Sequence, residues 1–185
     1  MLWNEILSFI CIVCSALIYA LSLQFNRKKS ILIMQVFSSS LYLLSYFFIL
    51  NLYAAASVGL ATAVIEIFRV IVFYLINKTE KFNSQKNNIL AALFFSCLLI
   101  VSAVFTWNGW ITLLPIVGGV IVSFAVGHKN ILLMKVAFVI QSILTIIYLF
   151  FLTLWFNACS QVIVLVFSII GLVSYLLKTK QQKEI

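Results

Sequence analysis

Glu66 and Arg69 are the side chains best placed to do chemistry, because both fall inside an apolar run, Ala54 to Ile76, long enough to cross a membrane. Its 23 residues, rising about 1.5 Å each as a helix, span a hydrocarbon core of about 30 Å. A charge near the bilayer centre costs on the order of 2.5 to 3.5 kcal/mol on a lenient scale, so such groups face a protein interior or a wet cavity. The i, i+3 spacing puts carboxylate and guanidinium on one helix face, where each can neutralise the other. Followed back through Thr62, Gly59 and Ala55 that face is small or polar, while Val64, Ile65, Ile67, Phe68 and Ile71 cover other directions. A salt bridge that locks the helices and a ligand or gating role are both open, and they do not exclude one another.

Nothing else has the form of a catalytic centre. The chain has no Asp, a single His, and no HExxH, GxSxG or phosphate-cradling glycine loop. No catalytic residue, metal site or cofactor is expected, and the chain is not read as an enzyme. Cys11 and Cys14 form a CxxC, but within an apolar run and without a second metal-ligand pair; with Cys97 and Cys159 they read as packing residues. His128 stands beside Lys129 in a loop and reads as solvated.

The elements that must position the pair follow from composition. With 65% hydrophobic residues, 9% charged and one proline in 185 positions, the chain is an all-α polytopic membrane protein. Its apolar runs are continuous, unlike the short alternating strands of a transmembrane barrel. Seven spans can be drawn: Glu5 to Phe25, Ile31 to Leu50, Ala54 to Ile76, Ile89 to Trp107, Trp110 to Val126, Ile131 to Leu152 and Leu154 to Leu177. The N-terminus lacks a basic n-region, so the first span is expected to be retained.

The formal charge of +8 points to topology rather than nucleic acid, because its carriers alternate between loops. Arg27, Lys28 and Lys29 follow the first span, Lys78, Lys81 and Lys86 the third, Lys129 the fifth, and Lys178, Lys180 and Lys183 the seventh. The loops at Asn51 to Tyr53, Asn108 to Gly109 and Thr153 have no Lys or Arg. The positive-inside rule then places the N-terminus outside and the C-terminus in the cytoplasm. Lys135, near the cytoplasmic start of the sixth span, is expected to snorkel.

An offset of 100 sets Lys29 to Val36 over Lys129 to Val136 with five identities in eight positions. It also sets Tyr42 and Ser45 over Ser142 and Thr145. After a two-residue slip, Ala55, Gly59, Thr62, Glu66 and Arg69 fall on Asn157, Gln161, Val164, Ser168 and Gly171. The expected plan is two parallel three-helix bundles joined by a linker helix, a 3+1+3 arrangement. Its parts are residues 1–78, the loop and linker helix at 79–108, and residues 109–185.

A substrate site is expected near the midplane between the bundles. Span midpoints fall near Ser15, Ser40, Glu66, Gly118, Gln141 and Ser168, mostly polar or charged. The second span carries Gln35, Ser38, Ser39, Tyr42, Ser45 and Tyr46 at helical steps, and the sixth offers Gln141, Ser142, Thr145 and Tyr148. Interhelical hydrogen bonds without a solute are the competing reading. Glu66, Gln141 and Ser168 are placed at the centre, Asn157 and Gln161 on the outer approach, and Arg69 on the inner one. Pro115, with Gly118 and Gly119, reads as a hinge or a static kink. Trp3, Trp107, Trp110 and Trp155 lie at the outer boundary as an aromatic belt, with Trp155 best placed to stack on an entering solute.

Three stretches carry a family resemblance: NRKKSILIMQVFSSSLYLLSYFFILNLYAAA, VIEIFRVIVFY and LLPIVGG. They resemble the bacterial inner-membrane YgjV family, along nearly the whole chain. The resemblance matches Arg69 to the third-helix arginine, and Leu113, Leu114, Pro115, Ile116, Val117 and Gly118 to the proline motif. The chain departs from the family in SILTIIYLF, where similar members carry Trp, Tyr and Asn. It departs again at Gly171 and Ser174, where an Arg is usual late in the seventh helix. The 3+1+3 plan is also similar to SWEET sugar facilitators and PnuC-type nicotinamide riboside carriers. The leading expectation is a facilitator of a small polar solute. A membrane scaffold or partner-binding subunit is the alternative, and a vitamin carrier a further one. Expected partners are the bilayer and the solute; a homo-oligomer is allowed.

Overall fold

The computed structural model describes residues 2–49, 56–79, 84–105, 107, 109–128 and 130–181. The stretch Asn51 to Tyr53, Ala55, Lys81, Asn108, Lys129 and Lys183, all used in the sequence reading, lie outside them. The described residues form seven α-helices: α1 Leu2–Ser22, α2 Lys28–Ile49, α3 Ala56–Lys78, α4 Gln85–Phe105, α5 Leu113–Gly127, α6 Ile131–Phe151 and α7 Trp155–Gln181. Among the described residues there is no strand. Among the described residues four stretches are long and apolar enough to cross a membrane: Gln85–Phe105, Trp110–Gly127, Ile131–Phe151 and Asn157–Gln181. Helices α2 and α3, of 22 and 23 residues, have membrane-spanning length and carry the polar stripes.

Local features set the ends of α6 and the start of α5. Asn130 caps α6, its side chain accepting a hydrogen bond from the Leu132 amide at 2.9 Å. The same helix ends on Thr153 at φ 58°, with Thr153 N–H on the Phe150 carbonyl and Leu154 N–H on that of Leu149. That is the paired closure of a left-handed helix terminus. Helix α5 follows a 3-10 turn, Trp110–Thr112, whose Thr112 hydroxyl bonds the Gly109 carbonyl at 2.6 Å. Pro115 therefore falls in the first turn of α5, where its missing N–H breaks no ladder bond. It begins a helix and does not kink one.

Successive helices pack on one another in chain order, and α7 packs back on α1, closing a ring. Helix α3 also touches α5. Helix α4 lays its buried face of Asn88, Ala92, Phe95, Leu99 and Ala103 over that junction. The outside of the ring is apolar, with Leu90, Val104 and Phe105 exposed, and the inside holds buried Ser8, Ser15, Gln35, Ser38, Arg69 and Lys135. This inverts the soluble arrangement, as a hydrocarbon solvent requires.

The interior is divided along the ring axis. Toward the ends that carry Arg27, Lys28, Lys78 and Lys86, an apolar core of Leu23, Ile31, Leu32, Val70, Phe73, Phe95, Val126, Met134 and Phe138 fills the ring. Toward the other ends the axis holds an unfilled space lined by polar and apolar side chains, beside two smaller apolar clusters, one of Tyr148, Leu149 and Ala158 and one of Leu99, Ala103 and Ile116.

Candidate functional site

The unfilled half holds a cavity of about 100 Å³. All seven helices line it: Ser15 and Tyr19 of α1, Ser38, Ser39 and Tyr42 of α2, Thr62 and Glu66 of α3, Leu99 of α4, Pro115 and Gly119 of α5, Gln141, Ser142, Thr145 and Tyr148 of α6, and Ser160 and Gln161 of α7. At about 30 Å³ per water in the liquid, it has room for roughly three waters. Among the described residues, Glu66 is the only charged one in this lining.

Glu66 and Arg69 are joined at 3.6 Å, as their spacing requires, but each is closer to something else. Gln141 donates from Nε2 to Glu66 Oε1 at 2.9 Å, tying α3 to α6 across the cavity. Because the acceptor is a carboxylate, only the amine end of Gln141 can face it, which fixes the amide's orientation. The Arg69 guanidinium, 4% exposed, turns outward into the α3–α5 junction and donates to the Gly119 carbonyl at 3.1 Å and the Ser123 hydroxyl at 3.3 Å. The acid thus belongs to the cavity and the base to the wall behind it.

Two glycines make this possible by close approach. A Cβ on Gly118 would meet Gln141 Cγ at 3.2 Å and Cα at 3.3 Å, and one on Gly119 would meet Leu99 Cδ1 at 2.9 Å. They let α5 seat against α6 and α4. With Pro115 at a helix start, the three expected hinge residues act together as a packing and initiation device.

Lys135 corrects the sequence reading. It does not snorkel: it is 2% exposed and donates from Nζ to the Leu23 carbonyl at 2.6 Å and the Gly171 carbonyl at 3.0 Å. Leu23 follows the last residue of α1, so the ammonium sits at a helix C-terminus, where the backbone presents unpaired carbonyls and partial negative charge. Gly171 admits this contact because a Cβ there would stand 2.5 Å from the Leu23 oxygen. Gln24 adds a bond from Nε2 to the Phe167 carbonyl at 2.9 Å. The α7–α1 junction is therefore pinned by a buried cation, as the α3–α5 junction is by Arg69.

Of the expected site residues, Glu66, Gln141, Ser142, Thr145, Tyr42, Gln161, Pro115 and Gly119 line the cavity. The others are elsewhere. Ser45 donates back to the Tyr42 carbonyl at 2.6 Å, and Ser168 back to that of Val164 at 2.7 Å. Asn157 is buried, with its carbonyl accepting from Ser160. Trp155 is exposed and stacks edge-to-face on Phe150 with centroids 4.9 Å apart. Ser40 at a span midpoint is exposed and bonds back to Val36. Sequence reasoning missed Ser160 and the roles of Lys135, Ser123 and Gly171. It also missed that Ser15 and Ser38 bond reciprocally, each hydroxyl donating to the other's carbonyl at 2.8 and 2.9 Å.

Among the described residues no group of His, Cys, Asp or Glu could hold a metal. The family described as Imp-YgjV, bacterial inner membrane protein, matches residues 6–179. No curated protein and no solved structure matches.

Proposed function

The chain belongs to the YgjV family of bacterial inner membrane proteins, and from that premise we propose that it is a facilitator carrying a small polar solute through the axial cavity. The observation that carries this reading is a cavity that all seven helices of a membrane-embedded ring line and to which five of them, α1, α2, α3, α6 and α7, bring polar side chains. Helices that only had to hold together would have no reason to converge their polar faces on one unfilled space. The solute is small: about 100 Å³ is well under the roughly 300 Å³ at which drug-sized pockets begin. This weighs against a nucleoside such as nicotinamide riboside.

The facilitator is built as 3+1+3, with the N-terminus outside. Helix α4 covering the α3–α5 junction from outside supports the grouping, since it leaves α1–α3 and α5–α7 meeting at two junctions, α3–α5 and α7–α1. The pinning cations support the repeat. At the offset of 100, Lys135 corresponds to Gln35 and Ser123 to Leu23; after the slip, Gly171 corresponds to Arg69. In one half the cation stands on the third helix and in the other on the second, reaching the matching place against the first helix of the other bundle. No dedicated ion site and no enzymatic step are part of this proposal.

Uptake into proteoliposomes tests it. Saturable entry of a small polar solute is expected in the wild type and lost in Glu66→Ala and Gln141→Ala at equal insertion. A scaffold would show identical solute permeability in wild type, variants and empty vesicles.

A further inference from the structure

The hydrogen-bond directions at the cavity wall identify the class of solute, on the premise that the cavity is a transport site. Ser15 and Ser38 spend their hydroxyl protons on each other's carbonyls, and Ser160 spends its own on the Asn157 carbonyl at 2.8 Å. A hydroxyl committed in this way offers only lone pairs to a ligand. The Gln141 amine is likewise spent, on Glu66 Oε1. Glu66 itself receives both Gln141 and Arg69 on Oε1, leaving Oε2 with no hydrogen-bond partner among the described residues. Its side chain is 24% exposed, in a cavity that no cationic residue lines.

These observations share a sign. Several wall groups accept, the one charge is negative, and the nearby guanidinium is turned into the α3–α5 junction. We propose that the cavity binds a small organic cation, of guanidinium or primary ammonium type, with its N–H groups on Glu66 Oε2 and the serine lone pairs. A charged donor on a carboxylate makes the stronger class of hydrogen bond, about twice a neutral one. A carboxylate solute would meet Glu66 first, with the Arg69 guanidinium behind it and bonded away from the cavity. A neutral isostere would lose the charge assistance. The basic residues, gathered at the other end of the ring, oppose no cation arriving from the open half.

Guanidinium and urea are planar, nearly isosteric and differ in charge, so they separate charge from shape. In purified, detergent-solubilised protein at constant ionic strength, low-millimolar guanidinium or methylammonium should raise the melting midpoint saturably. Urea and acetate at the same concentration should not. Glu66→Gln should weaken the cation at least tenfold. Gln161→Glu, which adds a carboxylate to the lining, should tighten it, and keeps the test decisive if Glu66→Gln does not fold. Proteoliposomes on a solid-supported membrane then read transport as current. Cation binding with current supports both proposals; cation binding without current keeps the ligand class and removes the facilitator. Preference for urea or acetate overturns the cation class, and their uptake would leave the facilitator standing. Absence of a saturable shift with either cation overturns the class outright.

Discussion

Gly118 has no side chain because Gln141 occupies the space one would need. A Cβ there would press on Gln141 at 3.2 and 3.3 Å, the second contact being to backbone, so Gly118→Ala must move α6 or rotate the glutamine. Either stretches the 2.9 Å bond to Glu66. Losing one charge-assisted bond of about 1.5 kcal/mol predicts a chain that inserts and folds but binds its solute roughly tenfold less tightly, measured as the half-saturation concentration. Lys135 acts on stability instead. Lys135→Met keeps the apolar stem but leaves the Leu23 and Gly171 carbonyls without their donor. The expected loss is about 1–3 kcal/mol, read as an earlier midpoint in heat or SDS titration with solute affinity little changed. The contrast between Glu66 and Lys135 shows what sequence can tell. Glu66 and Gln141 were legible because both sit at the middle of their spans on polar faces, and the fold needed only to join them. Lys135 sits near a span end, where depth alone favours snorkelling; what draws it inward is the end of α1, a tertiary neighbour 112 residues away. Ser168 and Ser45 are outside the cavity lining and bond locally. A serine in a helix can satisfy itself on the preceding turn, and spacing does not distinguish that from a hydroxyl turned to a ligand.

The helices themselves were readable from apolar run length; their junctions were not. Which helix face meets which depends on side chains that spacing treats alike, and a single buried cation fastens each of the α3–α5 and α7–α1 contacts. If the two junctions are repeats of one design, the cation can be moved between its two equivalent places. Arg69→Gly removes the pin at α3–α5, and adding Gln35→Lys recreates in the first bundle the arrangement seen in the second. Gln35 is buried with its Nε2 unpartnered, so an ammonium there replaces an amine that makes no bond. The double variant should be more stable than Arg69→Gly alone, with a coupling above about 0.5 kcal/mol in a double-mutant cycle. Strictly additive losses would argue against the repeat. A second test at this scale is the α6–α7 turn. Thr153 holds φ 58°, a left-handed conformation costing a residue with Cβ about 1 kcal/mol or more. Thr153→Gly should raise stability by about that amount, seen as a later SDS midpoint.

Taken whole, the molecule is asymmetric along its axis: a polar cavity in one half, and an apolar core with two cation-pinned junctions in the other. In the proposed orientation the sealed half faces the cytoplasm, so this is a state reached from outside. That makes a prediction about access which neither half could make alone. Cys14, Cys97 and Cys159 are exposed on the outer surface of the ring and Cys11 is partly so. Replacing all four with Ala gives a background in which Gln161→Cys reports only the cavity. A membrane-impermeant thiol reagent should label that cysteine in right-side-out vesicles and leave it unlabelled in inside-out ones. Adding Lys135→Gln or Arg69→Gln should open a junction and allow labelling from the cytoplasmic face. Labelling from the inside alone would invert the orientation. Equal labelling from both faces without a junction variant would mean that the apolar core does not seal the ring. A carrier needs that seal to be strong enough to hold and weak enough to break, and two buried cations bonded mainly to carbonyls meet both demands. Each bond is charge-assisted while made, yet apart from the 3.6 Å contact of Arg69 with Glu66 the cations are held by neutral oxygens, which water can replace far more cheaply than it can a buried carboxylate.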